Sequence, residues 1–227
     1  MNTLHSRIMI GALLLSPVLL TASESARLTV DNAYVENDAN PVADTASHLQ
    51  AVADRLGLWH AAGLLEVVFA ATWCIALLAA ALVIARSRPV LAAATGLAGL
   101  LSTLGVAMHT AFYYVPLAGL AQEPDQALAA KAGAIGGDDP LLGVALALFL
   151  LGTLAAILAM GLGLWRAGVL PWWGGLGVVA WLGSVVAGSE LPAAALVNLV
   201  LLLPFAVVAA RLRKPGETVP QAEFAVA

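Results

Sequence analysis

The sequence predicts an all-α fold, a polytopic bundle of about six transmembrane helices. Of its 227 residues, 61% are hydrophobic and 11% are charged, whereas soluble domains carry about 25% charged residues. The stretch from Trp59 to Arg86 contains only two acid–base side chains, His60 and Glu66, besides a single cysteine. An apolar run of this length spans a bilayer as a helix. Lipid is therefore the solvent for most of the chain.

Residues 1–22 are predicted to form the first transmembrane helix or signal anchor. Arg7 precedes an apolar run that ends at Leu20, a pattern that also fits a secretory signal peptide. We favour a retained helix because Leu20 fits the small-residue rule of a cleavage site poorly. Both interpretations place Ser23 outside the membrane.

Residues 23–56 are predicted to form an outer segment, because they hold six acids against two arginines. Leu49 and Val52 belong to a helical repeat near the end of this segment, which predicts a short amphipathic helix on the outer membrane surface, ahead of the second span. Asp44 or Thr45 is expected to cap that helix.

Residues 57–210 are predicted to form a five-helix transmembrane bundle. The predicted spans are residues 58–85, 90–120, 141–165, 174–188 and 193–210. Pro116 is expected to kink or end the second of these spans near the outer surface. The tail, residues 211–227, lacks helical periodicity beyond its first basic residues and is predicted to be a disordered cytoplasmic segment.

The distribution of basic residues predicts that both termini are cytoplasmic, by the positive-inside rule. The assignment puts seven of the ten basic residues inside and eleven acids outside. The inner basic residues are Arg7, Arg86, Arg88, Arg166, Arg211, Arg213 and Lys214. The excess of arginine over lysine is typical of a GC-rich bacterial genome. The predicted location is a bacterial plasma membrane, crossed several times.

Small residues recur along two of the predicted spans, where they allow helices to approach closely. The first stripe consists of Gly96, Gly99, Thr103 and Ala107, and the second of Gly177, Trp181, Ser184 and Gly188. Packing within one bundle explains most of this pattern. Homo-oligomerisation through a glycine-rich face is a second hypothesis, and the lipid bilayer is the one partner that the composition requires.

Three predicted spans each place one polar group at a similar depth in the outer half of the bundle, namely Glu66, His109 and Asn198. Glu66 lies about 12 Å below the start of its span by helix rise. A carboxyl group at that depth destabilises the protein unless it is neutral, is paired with another polar group or faces a water-filled cavity. His60 is expected at the outer rim above these residues, and Tyr113 at the entrance.

These residues predict an outward-facing polar site that binds or transports a small solute or a proton, gated near His60 and Glu190. The alternative hypothesis is a buried hydrogen-bonded triad in a structural or partner subunit of a cell-envelope complex. Haem or metal binding through His60 and His109 is less favoured, because the chain has no second ligand pair and no C-x-x-C-H motif. No cofactor, resident metal or nucleic-acid partner is predicted.

An intramembrane enzyme is also less favoured. The sequence has no HExxH, GxSxG or Walker A motif. Ser102 is expected to lie two helical turns from His109, too far for a nucleophile and its base. No catalytic residue is therefore assigned.

Three features of the chain resemble a known group of proteins. They are the run from Ser16 to Leu20, the sequence Ser47-His48-Leu49-Gln50 ahead of the second span, and the turn from Trp165 to Gly174. With the topology, they resemble an uncharacterised family of polytopic integral-membrane proteins of high-GC bacteria. The resemblance covers most of the chain through topological motifs. That family has no assigned activity, so the resemblance implies a membrane protein and no site residues.

Overall fold

The computed structural model describes residues 3–34, 39–137, 139–171 and 192–213. All the secondary structure in these ranges is helical, which confirms the all-α prediction for them. Five helices there are long and apolar enough to cross a membrane. The predicted span at residues 174–188, with its small-residue stripe, lies outside the described residues, as do Glu190 and most of the predicted tail.

The described helices follow one another with short connections. They are α1 (Thr3–Asp31), α2 (Pro41–Asp54), α3 (Leu56–Ala85), α4 (Pro89–His109), a π-helical turn (Thr110–Tyr114), α5 (Val115–Leu120), α6 (Gln126–Gly137), α7 (Pro140–Arg166), a 3₁₀ helix (Pro192–Leu201) and α8 (Leu202–Arg213).

The central element is α3, which packs against α1, α4, α7 and α8. Its aromatic side chains Trp59, Phe69 and Trp73 are fully buried. A helix that is apolar all round belongs in the interior of a bundle, and α3 has no clear polar face. The second predicted span is therefore the helix around which the others are arranged.

The first helix is longer than predicted. We expected the chain to leave the membrane at Ser23, but α1 continues without interruption to Asp31. The extension is stabilised by packing on α3, where the Ser23 hydroxyl donates a hydrogen bond of 2.9 Å to the carbonyl of Ala62. Residues 23–31, which we assigned to an outer segment because of their charges, therefore belong to the bundle.

The third predicted span does not end at Pro116. The helical path of α4 passes through the π-helical turn and continues as α5 to Leu120. Proline lacks an amide hydrogen, and its ring clashes with the carbonyl four residues earlier. The wider turn immediately before Pro116 is one way in which a helix accommodates such a residue.

One end of the bundle is covered by α2 and α6, which pack against each other and which we call the cap. We predicted α2 but not α6, whose residues lie between the predicted spans 90–120 and 141–165. The N-terminus of α2 lies earlier than expected, since the Asn40 side chain accepts a hydrogen bond from the amide of Ala43. Our assignment of Asp44 or Thr45 as the N-terminal capping residue of α2 was therefore wrong.

The basic ends of the helices lie at the other end of the bundle. Arg88, at the start of α4, donates to the carbonyl of Arg166 at the end of α7. Ser6, near the start of α1, donates to the carbonyl of Leu212 near the end of α8. The structure therefore gathers the arginine-rich helix ends away from the cap.

Helices α4 and α7 pack along most of their lengths, and glycines make this approach possible. A β-carbon at Gly105 would collide with the backbone nitrogen of Phe149, and one at Gly152 would lie 2.8 Å from the backbone nitrogen of Ser102. Gly96 has open space where its β-carbon would lie. The face of α4 that meets α7 therefore differs from the small-residue stripe that we selected from the sequence. Gly99 of that stripe packs closely on α3 instead, since a β-carbon there would lie 2.9 Å from the Leu77 side chain.

Candidate functional site

A buried histidine–carboxylate pair lies between α3 and α4. Nδ1 of His109 and Oε1 of Glu66 are 2.7 Å apart, and the two residues are 7% and 6% exposed. The sequence placed them at similar depth on adjacent spans, and the structure brings them into direct contact. In such a contact one proton lies between the imidazole and the carboxyl group, and either can hold it.

The face of α3 that carries Glu66 contains several small residues. Ala62, Gly63 and Ala70 are all buried on it. At Gly63 an added β-carbon would lie 3.2 Å from the side chain of Tyr114. The missing side chain makes room for this tyrosine against the helix, next to the acid.

The π-helical turn after His109 presents two tyrosines to the pair. The ring of Tyr113 stacks on the His109 imidazole with centroids 5.0 Å apart and planes at 16°. The Tyr114 side chain lies close enough to Glu66 to interact with its carboxyl group. The indole of Trp59 donates to the Tyr114 carbonyl at 3.1 Å, which attaches the turn to α3. π-Helical turns occur frequently at functional sites because they re-aim side chains.

The extended part of α1 supplies charged groups that sequence reasoning missed. Glu24 and Arg27 lie beside the pair, close enough for electrostatic interaction between Glu24 and Glu66. Arg27 donates to Asp31 at 2.6 Å and lies close enough to Tyr113 to interact with its hydroxyl. These α1 residues recur at spacings of three and four, a helical repeat that could have been recognised in the sequence.

Asn198 joins this cluster through a partner that we did not predict. It lies on the 3₁₀ helix, is 2% exposed and donates a hydrogen bond of 2.6 Å to the Glu24 carboxyl group. Because Glu24 lies within electrostatic range of Glu66, the three predicted polar groups lie in the same part of the bundle. We call this group of Glu24, Arg27, Glu66, His109 and Asn198 the polar cluster.

His60 lies near the start of α3 and its side chain is exposed, whereas Glu66 and His109 are buried. Tyr113 does lie on the cap side of His109, where it is half-buried. The roles predicted for His60, as a gate or as a haem ligand, stay predictions.

A second histidine–carboxylate pair joins α1 to the cap. Nε2 of His48 on α2 lies 3.1 Å from Oδ1 of Asp31, and the two side chains are 15% and 16% exposed. Tyr34 stacks on the His48 ring at 4.7 Å, and Trp59 meets it edge-on at 5.7 Å. The sequence gave no indication that His48 would reach α1.

Deeper in the bundle, three side chains from three helices share hydrogen bonds. The Trp73 indole donates to the Ser102 hydroxyl at 3.0 Å, and the hydroxyls of Ser102 and Thr153 are 2.6 Å apart. This arrangement satisfies buried polar atoms where no water competes. Ser102 is thus engaged in packing α3, α4 and α7.

Replacing Ser102 with alanine is expected to lower the free energy of unfolding by roughly 1–3 kcal/mol, because the indole nitrogen of Trp73 loses its acceptor in an apolar interior. Unfolding in mixed detergent micelles, followed by tryptophan fluorescence, measures this change. Thr103→Ala is the matched control on the same helix, since Thr103 bonds only to the carbonyl of Gly99 within its own helix. Equal effects of the two substitutions would contradict the prediction.

No group of three or more histidine, cysteine, aspartate or glutamate side chains among the described residues could hold a metal ion. Cys74 is half-buried in α3. The polar cluster has one imidazole, two carboxyl groups, one amide and one guanidinium, a set suited to proton exchange and hydrogen bonding.

No protein-family model, curated protein or solved structure matches the chain. The role of the polar cluster therefore has to be argued from its own geometry.

Proposed function

We propose that this protein is a multi-pass membrane protein that binds a proton reversibly at Glu66 and His109, as part of a site for proton or small-solute binding and transport. The observation that carries the proposal is the 2.7 Å contact between Nδ1 of His109 and Oε1 of Glu66, deep in a bundle of apolar helices. Placing an ionisable group inside a membrane costs several kcal/mol of free energy, and such groups are usually functional.

The chemistry of the pair suits proton exchange. A carboxyl group and an imidazole within hydrogen-bonding distance can hold one proton or two, and the net charge of the pair changes by one between these states. Tyr114 adds a hydroxyl partner to Glu66. A solute with a donor or acceptor group could compete for the same atoms, which would couple its binding to the proton.

The distribution of charge supports an outward-facing site. The arginine-bearing helix ends meet opposite the cap, as the contacts of Arg88 with Arg166 show, while the cap end carries Asp31, Asp44 and Asp54. By the positive-inside rule the arginine-rich end faces the cytoplasm of a bacterial plasma membrane, with both termini there. The cap and the adjacent polar cluster then face outward.

Infrared spectroscopy of the protein in lipid vesicles tests the proposal, because a protonated carboxyl group has its own carbonyl band. We expect a band that grows as the pH falls and that disappears in Glu66→Gln. In His109→Gln the band should persist but change its pH dependence, since the carboxyl group has lost its imidazole partner.

Two exposed residues provide matched controls. His60→Gln and Glu123→Gln make the same chemical changes at exposed positions, and each should leave the Glu66 band as it is in the unmodified protein. A carboxyl band that stays the same in Glu66→Gln, or that shows no pH dependence between pH 4 and about 9 (a window wide enough to contain ordinary carboxyl and imidazole titrations), would rule out the proposal.

A further inference from the structure

The second histidine–carboxylate pair, His48 and Asp31, lies where α1 meets the cap. His48 belongs to the cap, outside the membrane-spanning helices, and Asp31 is the last residue of α1. Their side chains are about twice as exposed as those of Glu66 and His109, at 15% and 16% against 8% and 9%. The pair is therefore the histidine–carboxylate contact nearer to solvent.

The two pairs share a neighbour. Tyr113 stacks on His109 and also meets the His48 ring, with centroids 6.4 Å apart. Arg27 reaches both Asp31 and Tyr113. A change in the contact between His48 and Asp31 therefore acts on the two residues that separate Glu66 and His109 from the cap.

The charges around these pairs do not balance when both imidazoles are neutral. Glu24, Asp31 and Glu66 carry three negative charges when ionised, and Arg27 supplies one positive charge, so 3 − 1 leaves an excess of two. Two protons are enough to remove this excess. Imidazoles next to carboxylates are suitable places for them, since charge excess in a poorly solvated region is costly.

The groups that face His48 come from every neighbouring part of the fold. Asp31 and Tyr34 lie on one side, and Trp59 and Tyr113 lie on the others. The only charged side chain of α6, Lys131, is exposed. Asp31, backed by Arg27, is thus the ionised group in direct contact with the imidazole.

We propose that His48 and Asp31 form a second proton-binding site, which latches the cap over the Glu66–His109 site. A proton on His48 places a positive charge beside the Asp31 carboxylate, so the hydrogen bond between them gains a direct charge–charge attraction. The cap is then held more firmly to α1 at acidic pH. It loosens when a rise in pH removes that proton. The inference rests on the proposed function, because the latch controls access to that site.

Backbone hydrogen exchange of α2 and α6 tests the latch in the full chain, embedded in lipid nanodiscs. After correction for the intrinsic pH dependence of exchange, the cap of the unmodified protein should exchange roughly five- to tenfold more slowly at pH 5.5 than at pH 8, because the positive charge on the imidazole strengthens its attraction to Asp31. His48→Gln and Asp31→Asn should each abolish this difference.

The matched controls make the same two kinds of substitution at an exposed aspartate and an exposed histidine. Asp54→Asn changes an exposed acid on α2 whose partner is Gln50, and His60→Gln changes an exposed histidine, so both should keep the pH difference. Protection that is independent of pH in the unmodified protein, or that is unchanged in both His48→Gln and Asp31→Asn, overturns the latch. Because His48→Gln and Asp31→Asn remove the same contact, either variant can test the latch if the other does not fold.

Glu66→Gln separates this proposal from the proposed function. Because the latch is formed by α1 and α2, the cap of Glu66→Gln should retain its pH-dependent exchange. A missing Glu66 infrared band with an intact cap response would remove the first proton site and leave the second. A normal Glu66 band, together with hydrogen exchange of the cap that does not depend on pH, would remove the second proton site and leave the first.

Discussion

Replacing Gly105 with alanine is expected to lower the free energy of unfolding by about 3 kcal/mol, the upper part of the range for overpacked interiors. The added methyl group would collide with the backbone of α7 at Phe149, where no side chain can rotate away. Helices α4 and α7 would have to separate. The hydroxyls of Ser102 and Thr153, 2.6 Å apart across the same interface, would then part.

Gly96→Ala is the matched control, because it makes the same change on the same helix with open space around the new atom. It should be neutral or slightly stabilising, since alanine favours a helix over glycine by up to about 1 kcal/mol. Both variants can be unfolded in mixed micelles and followed by tryptophan fluorescence. If Gly105→Ala were as stable as Gly96→Ala, the close contact between α4 and α7 would be disproved.

Replacing His109 with leucine is expected to destabilise the protein by about 3 kcal/mol, because it leaves the Glu66 carboxyl group without its partner in an apolar interior. The imidazole is also stacked on Tyr113, so its loss removes an aromatic contact. Removal of one member of a buried pair is generally more costly than removal of both.

The second substitution, Glu66→Leu, should therefore restore part of the stability that His109→Leu loses. A double-mutant cycle on the same unfolding equilibrium isolates the coupling between the two side chains. We expect their coupling to be favourable. If the double variant loses the sum of the two single losses, Glu66 and His109 do not stabilise each other.

Much of the fold follows from local properties of the sequence. The stretch around α3 is long and apolar, and its identity as a helix able to cross a membrane did not depend on any neighbour. The pairing of Glu66 with His109 was also within reach, because helix rise converts residue numbers into depth. Polar groups at equal depth in an apolar bundle are strongly driven to meet.

Other parts of the site depended on contacts between distant residues. Glu24 was assigned to an outer segment because charge usually marks the end of a span, yet packing against α3 carries α1 on to Asp31. Asn198 meets Glu24 across 174 positions of sequence. No local pattern specifies such a partner, because it depends on which helix faces are turned toward each other.

His48 and His60 also show that local sequence does not indicate which polar side chains become buried. Both are histidines near the start of the second predicted span, and the sequence offered His60 as the site residue. The structure buries most of His48 against Asp31 and leaves His60 exposed. Helical rotation, set by how the apolar faces pack, decided which of them turned inward.

The sequence by itself determined five helices of the described residues that are long and apolar enough to cross a membrane, and the similar depth of Glu66 and His109, because hydrophobicity and helix rise act along the chain. Only the tertiary structure decided that α1 would supply Glu24 and Arg27, that α6 would join α2 in a cap and that His48 would meet Asp31. These outcomes depend on the rotation and close approach of whole helices. Close packing between residues far apart in sequence fixes both.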